Sequence, residues 1–129
     1  MSVSTPIDRD CFLRALAKRF PEIAVNIDEI DSGLLHLEIA VVSRATHEAV
    51  RAQRWEMVAS HFAFMEEVFA GGNEAIKNAV CVSYVENIFL GETSVGHVHA
   101  RAMLPPELAT ALAELEAHFQ MLSHGQHDA

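Results

Sequence analysis

The sequence predicts an all-α protein, a single bundle of about five helices packed around a buried central helix at 73–90. Apolar residues recur every three or four positions in several segments, as one face of a helix requires. The strong breakers Pro21, Gly71, Gly72, Gly91, Pro105 and Pro106 fall between those segments. The least charged stretch, NEAIKNAVCVSYVENIFL, runs from Asn73 to Leu90 without an internal proline or glycine, too long for an ordinary strand. One segment keeps an alternative open. Leu35, His36, Leu37, Glu38 and Ile39 alternate apolar with polar, so an α+β fold with a strand near 34–42 competes with a helix from about Leu34 to Arg51.

The first helix is expected from Pro6 or Ile7 to Phe20, with Thr5 as cap and Asp8 and Asp10 loading its first turn. Phe12, Leu13, Leu16, Ala17 and Phe20 recur at helical spacing, and Pro21 blocks continuation. Residues 22–33 read as a connector, with Ser32 able to cap the next helix. Arg54 to Ala70 form the helix after that, whose apolar face carries Trp55, Val58, Ala59, Phe62, Met65, Val68 and Phe69. Gly71 and Gly72 are expected to end it in a left-handed turn, and Asn73 to cap the central helix. Residues 91–104 read as a long irregular loop. Pro105 and Pro106 open a last helix with a stripe of Leu108, Ala111, Leu112, Leu115, Phe119 and Leu122. That stripe is also a heptad seam, so 106–122 could pair with its copy in a homodimer. The domain is expected over 1–123, with 124–129 as a disordered tail.

At 100° per residue the apolar positions of the central helix change faces. Ile76, Ala79 and Val80 lie on one side, whereas Val85, Ile88 and Phe89 lie nearer the opposite one, as on a helix contacted all round. Glu86 and Asn87 then fall on a side that was apolar one or two turns earlier. A buried carboxylate needs a partner, so Glu86 reads first as a structural residue paired with a loop or an arginine, and second as a functional carboxylate in a pocket.

Composition removes several function classes. The net charge is −9 over 129 residues, and residues 55–129 carry nearly all of it, with only Lys77 and Arg101 against ten acids. Such a surface disfavours nucleic acid, which needs phosphate neutralisation, and favours a basic protein partner. The longest apolar runs are far too short to span a membrane. The N-terminus lacks a basic-then-apolar leader, and Cys11 and Cys81 lack a CxxC spacing, so a cytoplasmic protein with free thiols is expected.

Chemistry-bearing motifs are sparse. GxSxG, GxGxxG, a Walker-type loop and HExxH are all missing, and no acid stands three residues before a histidine as in di-iron bundles. An enzyme is therefore not expected, nor a cofactor. Among eight histidines, His97 and His99 form an HxH, and His124 and His127 an HxxH, but no third ligand appears at a fixed spacing. His36, His47 and His61 read as surface, rim or packed side chains.

The pattern RWxxVxxxFxFMEEVFxGG followed by NAVCVSYVENIFL resembles small bacterial all-helical domains of unknown function, in which a Trp-led helix precedes an N-A-x-x-V-S-aromatic-aliphatic-E-N helix. The residues that carry the resemblance are Trp55, Glu66, Asn78, Ala79, Val82, Ser83, Tyr84, Glu86 and Asn87. It brings no catalytic residues. Some domains of this kind are regarded as immunity proteins against toxins, which is what the resemblance implies here.

The expected function is accordingly a non-enzymatic acidic protein-binding module, an inhibitor or toxin-immunity-type protein. Glu66, Glu67, Glu74 and Glu92 are its candidate partner-binding acids. The alternative is a small ligand- or metal-binding domain with a pocket under the 91–104 loop, bounded by Glu86, Asn87, His97 and His99.

Overall fold

Asp8 starts the first helix, α1 (Arg9–Arg19), by accepting a hydrogen bond on its side chain from the Cys11 backbone at 2.9 Å. The cap is thus Asp8 rather than Thr5, and the helix begins later than the proline suggested. The structure is a computed structural model that describes residues 5–27 and 33–127, with side chains as far as Met121. After α1 come α2 (Pro21–Ala24), α3 (Leu35–Arg51) and α4 (Trp55–Gly71). The central helix, α5, spans 74–89, and α6 (Val95–Ala102) and α7 (Pro106–His127) complete the chain. Among the described residues there is no strand, and 35–42 is helix, preceded by Leu34 as its extended cap.

Ile39, Val42, Ala49 and Val50 explain that outcome. They sit at helical spacing along α3 and are all buried, and this longer period overrides the short alternation at its start. The expected cap Ser32 lies outside the described residues. The backbone of α7 is helical to His127. Residues 128 and 129 lie outside the described ones.

Ile7 pairs with the end of α4 in an isolated parallel bridge: its N–H donates to the Gly71 carbonyl at 2.7 Å, and its carbonyl accepts from Asn73 at 2.9 Å. Gly72 corrects one expectation. It is extended, with φ −77° and ψ 155°, not left-handed. Glycine is needed there for room, because a Cβ would come within 2.4 Å of Ile76 Cγ2 and 2.6 Å of the Val68 carbonyl. Asn73 caps α5 as expected, accepting from Ile76 N at 2.9 Å.

α5 is the element against which α3, α4, α6 and α7 all pack. Its path is not uniform. Residues Glu74–Val80 are α-helical, Cys81–Val85 form a π turn, and Glu86–Phe89 resume the α-helix. The Glu86 N–H reaches back five residues to the Cys81 carbonyl. A π turn inserts one extra residue and so rotates everything after it by about 100°. That rotation brings Val85, Ile88 and Phe89 back toward the side of Ile76 and Val80, and all five are buried. The change of apolar face along the sequence is therefore the signature of the π turn. The same rotation carries Glu86 outward: it is half-buried, and Asn87 is exposed.

The 91–104 segment is not one long loop, since Val95–Ala102 within it are helical. Ser94 caps α6, accepting from His97 N at 3.2 Å, and His97 and Ala100 are buried. Gly96 and the histidines depress intrinsic helix propensity, so the helix rests on its cap and its packing against α3 and α5. Along α7, Leu108, Ala111 and Leu112 pack on the protein's own core, whereas Phe119 and Met121 remain exposed. Among the described residues, no helix is long and apolar enough to cross a membrane.

Candidate functional site

α3 ends at Arg51, and the turn to α4 is made by Gln53 in a left-handed conformation, φ 57°. That conformation is uncommon for a residue other than glycine. The turn presents Arg54, Trp55, Glu56 and Met57 beside α2, and a groove opens there. It comprises two adjoining hollows of about 500 and 330 Å³ that share Glu22, Arg54, Met57 and His61. Phe20 and Trp55 line the larger hollow, and Glu48 and Asn26 the smaller. The acids Glu22, Glu48 and Glu56 outnumber the one cation, Arg54.

His61 forms the floor. It is 3% exposed and stands edge-on to the Phe20 ring, with centroids 5.1 Å apart. Its Nδ1 lies 3.0 Å from Thr46 Oγ1, which also lies 3.0 Å from the Tyr84 hydroxyl and 3.2 Å from the Val42 carbonyl. A threonine has one hydroxyl hydrogen, and a carbonyl can only accept. All three contacts are satisfied when Thr46 donates to Val42 and accepts from both Tyr84 O–H and His61 Nδ1–H. This leaves Nε2 as the acceptor nitrogen of His61. Burial holds the imidazole below the ordinary histidine range, with the Glu22 carboxylate pulling the other way. Tyr84 is fully buried, which pushes its phenol well above the ordinary tyrosine range.

A second polar cluster joins α3, α5 and α6. His47 Nε2 donates to the Asn87 carbonyl at 3.1 Å, which fixes its Nδ1 as an acceptor. His97 Nε2 stands 3.0 Å from that Nδ1, and His97 Nδ1 stands 2.7 Å from Ser94 Oγ. The Glu92 carboxylate is 4.0 Å from His97 Nδ1. Burial keeps His97 below the ordinary histidine range; His47 and Arg51 act in the same direction, and Glu92 opposes them.

The structure disperses the acids that the sequence singled out. Glu66 is used within the fold, accepting from the Glu107 and Leu108 backbones at 3.0 Å each at the start of α7. Glu67 pairs with Arg19 at 2.7 Å on the surface. Glu74 sits exposed in the first turn of α5, and Glu92 beside His97. Neither groove hollow is lined by Glu86, Asn87, His97 or His99. Within the 91–104 segment, His99 of α6 lies over the Trp55 ring at 4.2 Å between centroids. Asn87 serves through its backbone, and its side chain donates to the Ser83 carbonyl at 2.9 Å.

Thr46 and His47 were the residues most easily missed. Thr46 occupies a core position of α3 among Val42, Ala49 and Val50, and a polar side chain at core spacing signals a buried partner. His47 has no sequence signal, since its partners lie 40 and 50 residues away.

The chain belongs to the family described as Domain of unknown function (DUF7674), whose model matches residues 13–120. No curated protein and no solved structure matches it.

Proposed function

We propose that this member of a family of unknown function is a non-enzymatic binding module whose groove accepts a basic, partly apolar segment of a protein partner. The observation that carries this reading is the lining of the groove. Aromatic surface from Phe20 and Trp55 adjoins three carboxylates, and His61 on its floor, with Nδ1 held by Thr46, keeps Nε2 as an acceptor without a partner among the described residues. A lysine or arginine side chain suits all three features. Its cation is drawn to an aromatic face, its N–H groups need acceptors, and its methylene stem packs on apolar surface. Met57, 41% exposed, adds apolar surface at the rim. The net charge of −9 supports the same choice, because it accelerates encounter with a cationic partner.

An inhibitor or immunity-type role is the form of this activity that the central motif suggests, with the acidic face covering a basic surface on the target. On this reading the partner-binding acids are Glu22, Glu48 and Glu56 in place of Glu66, Glu67, Glu74 and Glu92. The test is affinity capture from the source cell at low and high salt, with the unmodified protein beside a Glu22→Lys/Glu56→Lys variant and a Trp55→Ala variant. One stoichiometric basic protein, bound by the unmodified chain and lost with both variants, supports the reading. Capture that survives both variants removes the groove from it.

A further inference from the structure

We infer that His47, Glu92 and His97 form a binding site for one first-row transition dication of the zinc class. One ligand atom from each of the three lies within 4.8 Å of the other two. The set is chemically apt: two imidazoles and a carboxylate are zinc ligands, and three protein ligands leave a position for water. Glu92 is 39% exposed along its side chain, so the cluster reaches the surface at that residue.

The surrounding hydrogen bonds support the assignment. Metal-binding histidines almost always donate their second ring N–H to an oxygen, which fixes the tautomer and aims the ligating nitrogen. His47 already does this, with Nε2–H on the Asn87 carbonyl and Nδ1 turned to His97. On His97 the hydroxyl of Ser94 meets Nδ1, leaving Nε2 turned to His47. The two facing nitrogens are 3.0 Å apart. With Zn–N bonds of about 2.0–2.1 Å, nitrogens on a tetrahedral ion stand about 3.3 Å apart, so the pair opens by a few tenths of an ångström.

Without metal, one proton bridges the gap, carried on His97 Nε2 and shared with His47 Nδ1. Metal binding breaks that N–H bond and forms another on His97 Nδ1, which then donates to Ser94 Oγ. Both imidazoles stay neutral and no proton leaves the pair. The ion would tie the end of α3 to the 91–94 turn and to α6.

Zn²⁺ and Co²⁺ chlorides, titrated into the full chain, test the site by calorimetric stoichiometry, by the visible absorption of tetrahedral Co²⁺ and by the shift in melting temperature. One ion per chain and a raised melting temperature are expected. His47→Gln and His97→Gln each weaken binding on the order of 100-fold, and Ser94→Ala, which removes the orienting hydroxyl together with the α6 cap but no ligand, weakens it about 10-fold. A His124→Ala/His127→Ala variant leaves the site intact. Absence of uptake by the unmodified chain overturns the proposal, as does uptake unchanged by His47→Gln or abolished by the tail variant. Should His97→Gln fail to fold, His47→Gln and the exposed Glu92→Gln decide the matter alone.

Discussion

Arg9 and Glu38 meet through two parallel hydrogen bonds, 2.8 Å from Nε to Oε1 and 2.7 Å from the terminal guanidinium nitrogen to Oε2. The bidentate fit joins α1 to the first turn of α3. Glu38 is 1% exposed and takes a third hydrogen bond from the Gly33 N–H at 2.9 Å. A carboxylate so deeply placed persists as an ion because both oxygens are engaged. The Arg9 hydrogen bonds are the main reason that its carboxyl lies below the ordinary value of 4.5, and burial works against them.

Replacing Glu38 by Gln keeps the shape but leaves the guanidinium against a neutral amide. A stability loss of about 1–3 kcal/mol in urea denaturation at neutral pH is expected. The sign of the shift sets the pH dependence. The folded state binds the Glu38 proton less readily than the unfolded chain, so the contribution is complete above 4.5 and is lost as pH falls through the depressed folded value. The Gln variant lacks this acid limb. A stability difference between the two proteins that stays constant through the acid range would disprove the assignment.

His61 and His97 set an earlier limb. Both are buried and held below the ordinary histidine value of 6.5. Below that value the unfolded chain takes up protons that the folded chain resists. Stability is therefore full above 6.5 and declines as pH falls toward the folded values. Melting temperatures measured through this range should fall before the Glu38 limb begins. His61→Phe should flatten the decline in part and His97→Gln in another part. A decline that neither change alters would place the proton uptake elsewhere.

Thr46 is the junction of the buried network, and its three contacts make it sensitive to an isosteric change. Thr46→Val keeps the volume and removes the partner of Tyr84 O–H and of His61 Nδ1. The expected loss is about 2–3 kcal/mol, since two buried donors are left without acceptors. Tyr84→Phe should cost about 1 kcal/mol, and the double variant less than the sum of the two, because the second change deletes a donor already unpaired. Chemical denaturation of the three variants closes this cycle. Strict additivity would show that the hydroxyls do not share one hydrogen bond.

The helices were legible where apolar period and breakers agreed, as in α4, with Trp55, Val58, Phe62, Met65 and Val68 ending at Gly71. They were illegible where tertiary packing overrode local preference. α6 holds a glycine and two histidines, yet Ser94 and the burial of His97 and Ala100 make it a helix. The π turn was visible as a drift of apolar faces in α5, but a drift can also mean burial all round, and only the backbone separates the two. The groove and the histidine pair were hidden for a different reason. His47 and His97 stand fifty residues apart, and Glu22 and Glu56 sit on different helices, so no local spacing joins them.

Glu66 shows how a charge count misleads when the fold has already used the charge. Its two oxygens accept from Glu107 N and Leu108 N, the orphan donors that open α7, where the helix dipole also favours an anion. Glu66→Ala should therefore lower stability by about 1 kcal/mol, as the loss of a helix cap does, and increase hydrogen exchange in the first turn of α7. Glu67→Ala breaks only a surface pair with Arg19, both partners largely exposed, and should change stability by less than about 1 kcal/mol. Binding to the basic partner should be insensitive to Glu67→Ala and weakened by Glu56→Lys. The opposite ranking would return the interface to the α4–α5 junction and away from the groove.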